Sequence, residues 1–130
     1  MKYFTLKELT RTSTGLPNVP GSAEVANLTN LVDKVLDPLR AAYGRPIRVN
    51  SGYRCMTVNI AVNGKSTSQH PKGEAADITA GSPAENRRLF EMLRGGGYPF
   101  DQLIDEYNYT WIHVSLKRNG INRKQILHES

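Results

Sequence analysis

The chain has 130 residues, with 17 lysines and arginines against 12 aspartates and glutamates, for a net charge of +5. That length holds one compact domain with a modest core, and a single cysteine, Cys55, excludes an intramolecular disulfide. The positive balance favours polyanionic surroundings such as nucleic acid, an anionic membrane or an acidic bacterial wall. The basic residues are scattered, however, with no arginine-rich helix, RNA-binding aromatic motif or paired-cysteine finger, which speaks against a nucleic-acid module.

In chain order, "MKYFTLKELTRTSTG" is broken by Lys2, Lys7, Glu8 and Arg11. It reads as neither a secretory signal nor a membrane span, so the expectation is a protein made without its own export address and without stable membrane insertion. Thr5 followed by Glu8 forms a capping box that predicts a short helix through about Arg11, and the turn-rich "STGLPNVPGS" predicts a surface loop. From Ser22 as N-cap, Val25, Leu28, Val32, Val35, Leu36 and Leu39 recur at helical spacing until Gly44. Pro38 lies inside that pattern, where it removes a backbone donor and predicts a kink or a break.

"IRVNSGYR" alternates as a strand and "CMTVNIAV" reads as a short helix stopped by Asn63 and Gly64, with Arg54 at the junction. "AADIT" predicts a buried strand. "SPAENRRLFEMLRGGG" predicts a helix with Ser82 as cap, Pro83 first, Glu85 completing the box and Gly95 to Gly97 as its stop. "FDQLIDEY", "TWIHVSL" and "NRKQIL" predict three further strands, the last two joined through the Asn-Gly of "KRNG" as a hairpin. The expected architecture is α+β, an antiparallel sheet flanked by helices in one domain spanning residues 1–130.

Chemistry concentrates in "SQHPKGEAAD", where His70 and Asp77 lie in and after a glycine-containing loop. A catalytic zinc takes three protein ligands and keeps a position for water, so this pair needs a partner. His113 is the best candidate, because in "TWIHVSL" the residues Ile112, Val114 and Leu116 share one face while Trp111, His113 and Ser115 share the other. Taken singly, His113 reads as a hydrogen-bonded strand histidine and His70 as solvated loop. Asp77, among Ala75, Ala76 and Ile78, needs a cation, several donors or a metal, a salt bridge to an arginine being the plain alternative.

Ser68, His70, Gly73, Ala75 and Asp77 realise the pattern SxHxxGxAxD, and "WIHVS" follows at 111 to 115. Together with "VNSGYR", "FTLKEL" and "VLDPLR", these segments resemble the zinc D-alanyl-D-alanine carboxypeptidase family, whose fold is shared with the hedgehog signalling domain, and in particular its short phage and prophage members. The resemblance covers nearly the whole chain. It implies His70, Asp77 and His113 as zinc ligands, with water completing the tetrahedron. It also implies Arg54 as a catalytic and substrate-binding arginine that holds a carboxylate or an oxyanion, and Ser68 as a residue that orients the loop and meets substrate.

For the base, the histidine that some relatives carry two positions before the last ligand is replaced by Trp111. Asp105 and Glu106 remain, pointing to opposite faces of their strand. Glu106 resembles the glutamate found shortly before the corresponding zinc histidine, and Asp105 is expected to be an exposed strand-end carboxylate. Tyr53, Gln69 and Trp111 are expected to be cleft or packing residues. Cys55 and His128 are read as non-catalytic, His128 having no carboxylate motif beside it.

The resemblance implies a zinc-dependent peptidase acting on bacterial peptidoglycan stem peptides, as a D-Ala-D-Ala carboxypeptidase or an L-Ala-D-Glu-type endopeptidase. Similarity to phage and prophage members further implies an endolysin, a monomer that stays cytoplasmic until a holin-type partner releases it to the cell wall. The alternative from another class is a non-catalytic zinc-stabilised domain that binds the cell wall.

Overall fold

The computed structural model describes residues 1–130. Helix α1, Leu6–Leu9, opens with the expected capping box between Thr5 and Glu8 and stops short of Arg11. Helix α2, Ser22–Leu31, is capped by Gly21 rather than Ser22, and Glu24 closes the box from the third position.

Pro38 is accommodated without a sharp break. Residues Val32–Leu36 form a π turn, in which the Asp37 N–H reaches back to the Val32 carbonyl, and α3, Asp37–Tyr43, follows with Pro38 in its first turn. The wider turn absorbs the missing donor and ring bulk of a proline. Leu28, Leu31, Val32, Val35, Leu36 and Leu39 stay buried along one continuous face. Gly44, in the left-handed conformation at φ 78°, ends the run.

Strand β1, Arg48–Ser51, leads into helix α4, Met56–Ala61. A short 3-10 turn at His70–Lys72 precedes β2, Ala75–Thr79. Helix α5, Pro83–Gly95, is capped by the Ser82 hydroxyl and ended by its glycines. Strands β3, Gln102–Glu106, β4, Trp111–Ser115, and β5, Gln125–Glu129, complete a five-stranded sheet of order β1-β2-β4-β3-β5. The architecture is α+β with a mostly antiparallel sheet.

One expected pairing is different. The Asn-Gly in "KRNG" does not close a hairpin; β5 crosses past β4 and pairs in parallel with β3. The crossing is anchored by Asp101, which is fully buried and binds Arg123 through paired contacts of 3.0 and 2.7 Å, while its backbone carbonyl accepts from Gln125 N–H. A buried carboxylate met by a guanidinium fork outweighs the turn propensity of two residues.

Asp105 and His128 also differ from expectation. Asp105 is buried, not an exposed strand end, because its register neighbour Ile112 belongs to the core face. His128 lies beside it across the β3–β5 pair and hydrogen-bonds its carboxylate, so that histidine does have a carboxylate partner, on the far side of the sheet from His113.

The core face carries Ala76, Ile78, Leu103, Ile112 and Val114 against the α2–α3 run and α5, with Leu89, Phe90 and Leu93 of α5 fully buried. No helix is long and apolar enough to cross a membrane.

Candidate active site

Antiparallel register places Asp77 directly beside His113, and His113 beside Ile104, so one row of the sheet turns two polar ligand-type side chains to the face opposite the core. His70 reaches the same point from the loop before β2. Two close approaches hold that loop. Gly73 adopts φ +73° with its Cα against α2, where a Cβ would stand 2.5 Å from the Glu24 carbonyl oxygen. Gly52 packs equally tightly on Leu9, and its own carbonyl accepts a 2.6 Å hydrogen bond from His70 Nδ1. Ser68 Oγ accepts from the His70 backbone N–H at 3.1 Å.

A carbonyl can only accept, so Nδ1 of His70 carries a proton and Nε2 is the ring nitrogen left to face the cluster. That Nε2 is buried, has no hydrogen-bond partner, and lies 3.3 Å from Asp77 Oδ2. On the other side, His113 Nδ1 is 2.9 Å from Asp77 Oδ1. Donor atoms of the three residues all lie within 4.8 Å of one another, and all three residues are buried. Atoms bound tetrahedrally to one zinc stand roughly 3.4 Å apart. A buried imidazole nitrogen without a partner beside a buried carboxylate suits a shared cation, so the residues present fit a divalent metal with a fourth position open.

Burial pushes the Asp77 carboxyl up, but the imidazoles of His70 and His113 beside it outweigh that and hold the group far below the ordinary carboxylate range. It is ionised at any working pH.

The cluster forms the floor of a cleft of about 530 Å³. Glu106 lines one side, and its Oε2 accepts from Trp111 Nε1 at 3.1 Å. Burial first, then the Asp77 charge, push the Glu106 carboxyl above its usual value, against the pull of His113 and the Trp111 bond. Arg54 lines the cleft with a buried, unpartnered Nε. Burial lowers its pKa, while the carboxylates of Asp77 and Glu106 favour its charge.

The structure therefore brings His70, Asp77, His113, Glu106, Arg54 and Ser68 to one cleft and leaves Asp105 behind the sheet. It also brings Leu127 and Glu129 of β5 into the lining, which the sequence reading did not single out. Their position depends on a parallel pairing between distant segments, for which no local pattern exists; only the alternation of Leu127 and Glu129 on one face was available as a signal.

Two histidines and an aspartate beneath an open cleft, with a carboxylate and a guanidinium at hand, define a metal-dependent hydrolase centre. The chain belongs to the peptidase M15 family, whose sequence pattern matches residues 2–115. It is also 40% identical over 106 residues to a protein of Streptomyces albus G named zinc D-Ala-D-Ala carboxypeptidase, a match covering 74% of this chain and 41% of the relative's length. The chain thus spans well under half of that relative.

Proposed function

We propose that residues 1–130 form one zinc peptidase domain that hydrolyses peptidoglycan stem peptides at a bond involving a D-amino acid. The observation that carries this reading is the unpartnered Nε2 of His70 facing Asp77 and His113 at the floor of the cleft. The name of the Streptomyces relative supports zinc as the metal and D-Ala-D-Ala peptides as the substrate class.

In this reading His70 Nε2, the Asp77 carboxylate and a nitrogen of His113 hold the metal. Zinc, when bound, polarises the scissile carbonyl and lowers the pKa of a water to roughly 7. Glu106 takes the proton from the attacking water and passes it to the leaving amine, its carboxylate held toward the cleft by the Trp111 bond. Burial and the Asp77 charge raise its pKa, which suits a group that must both accept and return a proton. Arg54, which lines the cleft and whose Nε has no partner within the protein, binds the substrate carboxylate or the developing oxyanion. Ser68 keeps His70 in place and offers its hydroxyl proton to the peptide.

The net charge of +5 supports attraction to an acidic wall, and with the resemblance to short phage and prophage members it supports an endolysin that acts as a monomer after holin-type release from the cytoplasm.

Digestion of purified peptidoglycan with and without a chelator, followed by mass spectrometry and metal analysis, tests the proposal. Chelator-sensitive release is expected, with free D-alanine marking a carboxypeptidase and new internal termini an endopeptidase. Stoichiometric zinc without product from several wall types would replace this reading with a zinc-stabilised wall-binding domain.

A further inference from the structure

Strand β5 lies beyond residues 2–115, the part of the chain matched by the family. It nevertheless builds one wall of the cleft. Its register with β3 sets Leu127 beside Ile104 and Glu129 beside Glu106, so alternation turns Ile104, Leu127 and Glu129 to the face that carries the metal cluster, and all three line the cleft. The backbone there is pinned, because Tyr107 N–H donates to the Glu129 carbonyl at 2.7 Å.

The Glu129 carboxylate stands at the rim, 43% exposed, and its cationic partner is Lys65 at 4.0 Å, itself 81% exposed and rooted in the loop after α4 on the opposite wall. A pair this long and this solvated is weak and readily exchanged. The neighbouring cation on the β5 side, Arg123, is already engaged with Asp101 through Nε and Nη2, a paired contact along one edge of its guanidinium. An aliphatic strip thus leads from the metal cluster to a carboxylate without a firm partner, while Arg54 supplies the positive group deeper in the cleft.

We infer that Ile104, Leu127 and Glu129 form a subsite for an aliphatic side chain ending in a primary amine, whose ammonium takes the place of Lys65 against Glu129. The inference deepens the peptidase reading and rests on it for the kind of ligand that enters. Aliphatic carbons pack on Ile104 and Leu127, and the ammonium gains a charge-assisted bond to a carboxylate that desolvates little on binding. Glu129 contacts the substrate here and takes no part in bond cleavage.

Trp111 is the sole tryptophan and lines the cleft, so its fluorescence reports binding without turnover. The test is stopped-flow quenching of the zinc-loaded protein by Nα-acetyl-L-Lys-D-Ala-D-Ala and by the same peptide acetylated on its side-chain amine. The free amine is expected to bind about two- to fivefold more tightly, Glu129→Gln to erase the difference, and Lys65→Met to widen it. Equal quenching by both peptides, no quenching by either, or a difference that survives Glu129→Gln overturns the subsite. Mass spectrometry of the same mixtures separates this result from the peptidase reading. Cleavage of both peptides with equal binding removes the subsite alone, and an amine preference without cleavage keeps the subsite while removing the peptidase assignment.

Discussion

Replacing Glu106 by glutamine isolates the proton-transfer step from everything else the site does. Glutamine keeps the shape of the side chain, and its amide oxygen can still accept from Trp111 Nε1, which now lies 3.1 Å from Glu106 Oε2. His70, Asp77 and His113 are untouched, so zinc content should stay stoichiometric. In the proposed mechanism what is lost is a base, a contribution of about 10²- to 10⁴-fold in rate, or roughly 3–5 kcal/mol of barrier. Stability should move the other way. Burial and the Asp77 charge raise the Glu106 pKa above its unfolded value, so whatever stability the protonated form contributes is lost as pH rises through that raised pKa. A neutral side chain removes the loss, and the variant should melt no lower than the parent at neutral pH. The assay is release of D-alanine or new peptide termini by the zinc-loaded variant, with metal analysis and a thermal scan on the same sample. Retention of activity within threefold at full zinc occupancy would refute the assignment, and Asp105 could not be invoked in its place because it lies on the other side of the sheet.

Further expectations concern metal, loop, anchor and pH. Chelation or His113→Ala should abolish hydrolysis and lower the melting temperature, since zinc at a hundredfold excess over its dissociation constant stabilises by about 2.7 kcal/mol; an unchanged melting curve after complete metal removal argues against a resident metal. Gly73→Ala should destabilise by about 2–5 kcal/mol, combining a left-handed backbone at φ +73° with a Cβ 2.5 Å from the Glu24 carbonyl oxygen, and a normal denaturation midpoint contradicts that packing. Asp101 has its carboxyl pKa lowered chiefly by the Arg123 hydrogen bond, against burial. Its contribution is present above the unfolded aspartate value and lost as pH falls through the lowered one, so Asp101→Asn should weaken the fold at neutral pH and flatten its acid dependence, as urea titrations at several pH values would reveal. In the wild type, kcat/KM should fall on the acid side as Glu106 becomes protonated, with that limb missing in Glu106→Gln.

What could be read from sequence was whatever depends on neighbours along the chain. Capping at Thr5 and Ser82, the left-handed stop at Gly44 and the alternation in "TWIHVSL" all act within a few residues, and the structure has each of them. Alternation also put His113 on the polar face and Asp105 opposite Glu106. It does not say which face of β3 is buried, so it leaves Asp105 looking exposed although its face packs with Ile112. Nor could it pair β5 with β3. The Asn-Gly signal is a local preference, overridden here by Asp101, whose burial and double contact with Arg123 tie together segments that are distant in sequence. The place of Glu129 in the cleft and the pairing of His128 with Asp105 lie beyond local patterns for that one reason.

The row Asp77, His113, Ile104 runs across three strands, while the rows on either side of it, Ala76 with Val114 and Leu103, and Ile78 with Ile112 and Asp105, face the core. A slip of β4 by one residue against its neighbours would drive His113 into hydrocarbon and present Ile112 or Val114 to the cleft. Hydrophobic sorting of the sheet and assembly of the ligand cluster are therefore one event, decided by the same parity. A misthreaded chain could not be well packed and still carry the cluster, so metal uptake during refolding would count only molecules whose strands had found their proper alignment.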